Sequence, residues 1–490
     1  MKLLHIITQA FLMLLIWTPA AWAGPAAGAL LAGFAKKFII NMIVSAITSK
    51  IFGKKKKGQT GGAGSQVMVN KQSNNESIPV QYGRRRIGGV RVFVGTSDGA
   101  GAEGTNHLNI VLSLCEGEMG DLKQLYFNDT LVFDGTCAHG ETIAHADIDS
   151  NADHTPVVPD DQADPKIENK YEKYFLVQYM SGTDTQAAAD EATSSIDTDW
   201  TSAHQLKGIA YLYCKLKFDA EAYEGGVPTI TAVIDGKKIR SVADLSAAKT
   251  AGANQNPADV IHDYLTNDRY GKGLADADID IASFQSAKTY ASTRYEINGI
   301  LDTGETLMQN IERLTMACNA MLVFHNGVYK LKIKGNESAA TRTFTTENIL
   351  SDVTVSLTDI KARLNKITID FANRDSDVNY NDDVVIRDDA TYLTQDNDTV
   401  LEQTIEMPMI TDQTLIESMG DFFMDESRDK MMIEFEAAHT EFGVEAGEII
   451  NVTLDDYGFT NKQFRVVQTE LTPENTISII GQEYTAGIHI

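Results

Sequence analysis

Four arginines, Arg84, Arg85, Arg86 and Arg91, are packed into the stretch Ser77-Ile-Pro-Val-Gln-Tyr-Gly-Arg-Arg-Arg-Ile-Gly-Gly-Val-Arg91. Guanidinium forks hold phosphate or carboxylate groups, so this cluster could grip nucleic acid or tie acidic side chains together. The charge balance separates the two. The net charge of −26 divides into +8 over residues 1–60, which hold eight lysines and no acid, and −34 over the remaining 430 residues. A body that acidic repels free nucleic acid. The four arginines are therefore read as candidate interface residues, paired with carboxylates of the same or a neighbouring subunit, with contact to passing DNA as the alternative.

Other constellations lack a part that their chemistry needs. Gly53-Lys-Lys-Lys-Lys-Gly-Gln-Thr60 has the outline of a phosphate-cradling loop, but Gln59 stands where the phosphate-binding lysine belongs. Asp375-Ser-Asp377-Val-Asn379 opens like a calcium loop, yet Tyr380 replaces the turn glycine and Ile386 the closing glutamate. Asp276-Ala-Asp278-Ile-Asp280 and Asp147-Ile-Asp149-Ser-Asn151 put Ile281 and Ala152 at the glycine position. His139, His145 and His154 lie in an acidic, weakly periodic stretch without a ligand-spacing pattern. Cys115, Cys137, Cys214 and Cys318 are far apart, which favours buried reduced thiols over a zinc site. No nucleophile elbow, zinc-protease helix, kinase set or dinucleotide fingerprint occurs. No catalytic, metal or cofactor-binding residue is assigned, and no cofactor is expected.

The elements that must position the arginines are mainly strands. A chain of 490 residues has room for about three or four domains. Residues 1–57 form an apolar, basic-flanked leader: a signal-like segment to Ala23, then a second apolar run from Ala26 to Phe52 that two central lysines interrupt. Residues 58–76 read as a glycine- and lysine-bearing polar linker. Residues 77–240 carry strand signals at Val90-Arg-Val-Phe-Val94, Asn109 to Leu114, Lys123 to Asp129 and Gly208 to Phe218, interrupted by an acidic solvated insertion over about 138–204. In the last of these strands Ala210, Leu212, Cys214, Leu216 and Phe218 form the core face.

Residues 241–345 read as an α+β unit. Asn256 caps a helix opened by Pro257, Thr306 and Gln309 form a capping box, and a helix with apolar positions from Leu307 to Leu322 leads into an Asn326-Gly327 hairpin. Residues 346–490 return to strands around one helix capped by Thr411, spaced as in a small barrel. The fold class is thus mainly β with α+β, in several domains: two β-barrel domains and an intervening α+β region.

Several stretches resemble the central tail hub, or tip attachment, proteins of long non-contractile phage tails. Ser77 to Gly89 is similar to that family's I-P-V-x-Y-G-x-x-R-x-G-G. Leu114-Cys-Glu-Gly-Glu118 with Leu125-Tyr-Phe-Asn-Asp129 resembles its first strands. Asn256 to Gly273 with Ala277 to Phe284 resembles its most distinctive stretch, and Glu445 to Ile450 with Asn461 to Arg465 its closing barrel. The matches run in order from about residue 68 to 485.

The resemblance implies a non-enzymatic structural virion protein at the tail tip, assembled in the host cytoplasm. It implies a homotrimer, two barrels per chain making a ring of six, that closes the tail tube and adapts sixfold to threefold symmetry until genomic DNA is ejected. DNA passes without sequence-specific binding. Implied partners are the distal tail protein, the tape measure protein, other tip or fibre proteins and, through residues 1–57, the host membrane. With the chain ending after the second barrel, separate fibres are expected to bind the receptor. The leader alone would instead suit an exported, membrane-associated bacterial binding protein.

Overall fold

The computed structural model describes residues 70–71, 76–98, 105–144, 170–171, 173–196, 199–340, 342–357, 360–375, 380–429 and 431–488. The leader of residues 1–57, His145, His154, the Asp147 to Asn151 loop, and Asp377 and Asn379 lie outside the described residues. No described helix is long and apolar enough to cross a membrane.

Residues 70–240 build two facing sheets. The strands are β1 (Asn70–Lys71), β2 (Val80–Tyr82), β3 (Arg85–Ile87), β4 (Gly89–Asp98), β5 (Thr105–Glu116), β6 (Leu122–Phe127), β7 (Thr130–Cys137), β8 (Thr142–Ala144), β9 (Phe175–Met180), β10 (Ile209–Lys217) and β11 (Ile230–Ile234), with a short helix α1 (Asp190–Ser195). One sheet runs β1-β4-β5-β10-β9-β8 and the other β3-β11-β6-β7. Between them lies a core that includes Leu112, Leu114, Leu125, Phe127, Phe175, Leu212 and Cys214. The outer side of the larger sheet is also covered: Val111, Tyr211 and Tyr213 pack with Ala192 of α1 and Trp200. A strand enclosed on both faces has no polar side to show, which is why these segments read as continuous apolar runs.

Two expectations change here. The stretch 138–204 is not a solvated insertion throughout, because every residue of Phe175-Leu-Val-Gln-Tyr-Met180 is buried and β9 lies between β8 and β10. The Asp- and Ala-rich flanks hid a strand whose own composition is strongly β-forming. On β4 the register with β5 slips between Arg91 and Phe93. The bulge turns Phe93 inward against Trp200, at a ring separation of 5.5 Å, and leaves Val92 and Val94 about half exposed. Phe218 lies beyond the end of β10 and is exposed.

The middle region holds α2 (Pro257–Thr266), α3 (Ile281–Ala291), β12 (Gly299–Leu301), α4 (Leu307–Met316), β13 (Ala320–His325) and β14 (Val328–Ile333). Asn256 accepts from the Ala258 N–H as N-cap, and Thr306 with Gln309 closes a capping box. The apolar spacing overshoots α4: Asn319 takes a left-handed φ of 50°, and Leu322 belongs to β13. At the tip of the β13–β14 hairpin Asn326 and Gly327 have φ of 52° and 83°, the two positive values a type I′ turn requires.

The last region contains β15 (Arg342–Phe344), β16 (Thr354–Leu357), β17 (Lys366–Asn373), β18 (Asn381–Asp388), α5 (Ala390–Gln395), β19 (Glu402–Glu406), α6 (Gln413–Glu426), β20 (Met431–Ala437), β21 (Ile449–Leu454), β22 (Phe459–Leu471) and β23 (Ile477–Glu483). A small sheet β18-β17-β19 carries α6 on one face, and a six-stranded sheet runs β15-β21-β22-β23-β20-β16. Asp412, one residue after the expected Thr411, caps α6 by accepting from the Leu415 N–H at 2.9 Å, while Thr411 is buried.

Neither β-rich region closes into a barrel ladder among the described residues. The six-stranded sheet curls until Phe344 of β15 meets Phe435 of β20 at 5.0 Å across a shared core. Its end strands β15 and β16 still pair only inward, to β21 and β20.

Phe175 is fully enclosed and touches Phe127 at 4.9 Å. Phe175→Ala is expected to cost about 4 kcal/mol, read as a lower urea midpoint for the first region. A change below about 1 kcal/mol would mean that the 138–204 stretch stands outside the core.

Candidate interface at the arginine turn

The triple arginine begins at a tight turn between β2 and β3, and the turn is seated in the middle of the chain. Gly83 has φ +65°, and a Cβ built on it would lie 2.1 Å from the Ile297 carbonyl oxygen. From the other side, a Cβ on Gly236 would lie 2.1 Å from the Gly83 nitrogen. Two glycines are thus required by one crossing of backbones. Around it, β2 pairs with β12 and β3 pairs with β11, so the turn joins the first region to the middle one.

Buried amides complete the seat. The Gly83 N–H donates to Gln255 Oε1 at 2.8 Å, and Gln81 Nε2 donates to the Ile234 and Gly83 carbonyls at 2.8 and 3.1 Å. The Arg84 N–H reaches the Ala253 carbonyl at 2.7 Å and Asn298 Oδ1 at 3.0 Å. Asn298 in turn donates its own N–H to the Met409 carbonyl at 2.9 Å, which brings in the last region. No spacing rule singles out Gln81, Gln255 or Asn298; only their burial marks them.

The arginine side chains divide their work. Arg84 donates Nε to Asp235 Oδ1 at 2.6 Å and keeps about a third of its side chain exposed. Arg85 is 2 % exposed and sits 5.9 Å from the Tyr380 ring centre; burial pushes its pKa down to about 10, against the opposing pull of Tyr380 and Asp382. Arg86, equally buried, donates to Thr231 Oγ1 and the Asn128 carbonyl at 2.8 Å each and lies 4.1 Å over the Tyr126 ring. Arg91 is half-buried on β4 beside the bulge.

The structure therefore does not present the four as one interface. Arg85 and Arg86 are enclosed by this chain's own residues, so the carboxylates and rings they meet are internal. The strand that carries them, β3, is buried on both faces. Arg84 and Arg91 alone keep surface through which a neighbour could be met.

Motif acids and glycines elsewhere make joints of the same kind. Asp263 of α2 accepts from Tyr82 and Tyr270 hydroxyls at 2.8 and 2.6 Å, with buried Lys237 3.4 Å away. Asp259 holds Lys288 at 2.7 Å, and Glu445 gathers Lys330 and Lys332 of the hairpin at 2.5 and 3.1 Å. Arg465, nearly fully buried, pairs with Glu337 at 2.8 Å and Glu426 at 3.1 Å. Near it Asp429 accepts from Thr485 Oγ1 at 2.7 Å; burial pushes this carboxyl up to about 6, with Glu483 and Glu426 adding to the rise.

Asp276, Asp278, Asp280 and His139, which were weighed for metal chemistry and are described, already have partners. Asp276 binds Arg240 at 3.1 Å, Asp278 accepts from the Ala275 N–H and Asp280 caps α3. His139 accepts from the Ser181 N–H at 3.0 Å. All four cysteines are free and buried, and burial pushes the Cys137 and Cys318 thiols up to about 12. Among the described residues no three metal-ligating side chains converge.

No protein-family model matches the chain. In sequence it is 21 % identical, over 468 residues, to the baseplate hub protein pb3 of Escherichia phage T5, a match that spans 84 % of this chain and 48 % of that protein. The chain thus spans about half the length of this curated relative. In structure it is similar to a chain from the virion of a native gene transfer agent particle, with a TM-score of 0.57, 11 % identity and coverage of 95 % of this chain and 97 % of the other. It also matches a 43 kDa tail protein of prophage MuSo2 from Shewanella oneidensis at a TM-score of 0.30, 10 % identity and coverage of 83 % and 97 %, too low for an argument about fold. The resemblance to phage tail hub proteins read from the motifs is upheld by this relationship in sequence.

Two outcomes follow from the joints. Gly236→Ala is expected to destabilise the chain by about 3 kcal/mol because the new methyl meets backbone, whereas Gly225→Ala, with nothing within 4 Å, should leave the urea midpoint in place. Equal effects of the two would show that the crossing is not a constraint. For Asp429 the folded pKa lies above the unfolded one, so protonation favours the folded state. This stability is full below the ordinary carboxyl range and is lost as pH rises through about 6. Asp429→Asn should flatten the fall in melting temperature between the ordinary carboxyl range and about pH 6; an unchanged slope would clear Asp429 of that role.

Proposed function

We propose that this chain is a structural protein of a phage tail, a hub located in the virion, working through its interfaces and not through catalysis. The observation that carries this reading is the sequence relationship to the phage T5 baseplate hub protein along 84 % of the chain. The shared fold with a chain of the gene transfer agent virion supports it. So does the occupation of the motif acids and arginines by one another, which leaves them as joints between segments.

The finer reading is a trimeric hub at the tip of a long non-contractile tail. Three chains, each with two open-edged β regions, would offer six sheet surfaces to a sixfold tube. Exposed edges fit that role: β4 presents Val92 and Val94 beyond its short pairing with β1, and β16 presents Leu357. Arg84 and Arg91 are the arginines left to meet a neighbouring subunit. Distal tail protein, tape measure protein and tip or fibre proteins are the proposed partners. Residues 1–57 are the segment proposed to meet the host membrane when DNA is released.

Sedimentation of the purified chain and immunogold labelling of virions test this together. A trimer and gold at the tail tip are expected. A monomer at every concentration, with no label on virions, would sink the hub; recovery from the periplasm would favour the exported binding protein.

A further inference from the structure

The buried joint at Asp263 is built unlike a simple ion pair. Its Oδ2 accepts from the Tyr82 and Tyr270 hydroxyls at 2.8 and 2.6 Å, whereas Lys237 Nζ stands 3.4 Å from both carboxyl oxygens. A charge-assisted bond is normally about 2.7–2.9 Å long, and Lys288 on Asp259 and Lys334 on Glu426 reach 2.7 and 2.6 Å. The long contact is not slack at a surface, because the side chains of Lys237 and Asp263 are only 6 % and 11 % exposed. Gly117 leaves the space for the lysine stem: a Cβ there would lie 2.4 Å from Lys237 Cε. On its other side Nζ meets the Tyr270 ring, 5.0 Å from the ring centre. Burial pushes the Lys237 pKa down, against the pull of Asp263, and so favours the neutral amine, which is a nucleophile. Equal distances to the two oxygens place Nζ on the plane that bisects the carboxyl group, the plane of attack on its carbon, and the packed stem holds it there.

We propose that Lys237 and Asp263 condense into an intramolecular amide, a covalent joint between the segment after β11 and helix α2. The Lys237 ammonium first gives a proton to Oδ1, leaving an amine and a carboxylic acid. The nitrogen lone pair then bonds to Cγ, and the negative charge that develops on Oδ2 is held by the two tyrosine hydroxyls, which are placed as an oxyanion hole. A proton passes from the nitrogen to the Oδ1 hydroxyl, the Cγ–Oδ1 bond breaks and one water leaves. No oxidant or cofactor takes part. The product is uncharged, so the burial that penalises the separate ions favours it. Lys237 and Asp263 are 26 residues apart, and the bond ties the first region to the middle one. The inference stands on this buried pair and does not depend on the place of the chain in a tail.

Tryptic mapping of the denatured full chain by mass spectrometry tests this. Trypsin should spare Lys237, whose amine is acylated, and the peptides carrying Lys237 and Asp263 should appear joined, lighter than their sum by one water. Lys237→Arg and Asp263→Ala should each abolish the joined species. The double variant Tyr82→Phe, Tyr270→Phe, in chain that keeps the wild-type circular dichroism, should lower its yield at least about tenfold at equal age. Lys237 and Asp263 peptides found wholly separate in the folded wild-type chain would overturn the proposal whatever the variants do. Joined peptides persisting in Lys237→Arg would overturn it as well, because the link would then lie on other residues.

Discussion

At the crossing of Gly83 and Gly236 the backbones approach so closely that a methyl on Gly236 would overlap the Gly83 backbone and a methyl on Gly83 would overlap the Ile297 carbonyl and the Asn298 side chain. Everything around the crossing depends on it, because the segments that meet there come from distant parts of the chain: residues 80–87, 234–238, 252–255, 296–299 and Met409. The approach removes water from several peptide groups at once. Each then needs an internal partner, and Gln81, Gln255 and Asn298 supply them. A buried amide with two functions can join strands that never align as a ladder, which is what three neighbouring regions require.

The charged joints around this seat do a related task. Burying an ion pair costs desolvation that its attraction only partly offsets, so these pairs are poor sources of net stability. Their value lies in geometry. Arg86 can satisfy Thr231, the Asn128 carbonyl and the Tyr126 ring only with β3, β6 and β11 in one register. Displacing any of them would leave a buried cation uncompensated, and Arg465 between Glu337 and Glu426 imposes the same condition on the last region. Part of the acid-rich composition thus serves to hold buried cations.

Local signals were legible in the sequence and distant ones were not. The caps at Asn256 and Thr306 and the Asn326-Gly327 turn were readable because each involves residues within four positions. The core face of β10 was readable from its alternation, but Tyr211 and Tyr213 on the other face gave no sign that α1 and Trp200 cover them. β9 was missed because its flanks dominated the composition, and the bulge at Val92 because a register slip belongs to the pair of strands. The arginines were visible as a cluster, while their destinations were fixed by Asp235, Tyr380 and Thr231, between about 145 and 295 residues away in the chain.

The low identities to the related proteins are compatible with a shared architecture for a physical reason. Core positions such as Leu112, Leu212 and Phe464 demand volume and apolarity, and many combinations of side chains meet that demand. The crossing glycines demand the absence of a side chain, and the buried amides demand two functions at one place, so few substitutions meet those demands. A short motif can therefore carry a resemblance that the hydrophobic pattern cannot. Gly83 in Ser77 to Gly89, Asp263 in Asn256 to Gly273 and Arg465 in Asn461 to Arg465 are each such a point, where one segment is locked to another. The motifs mark where this fold is jointed.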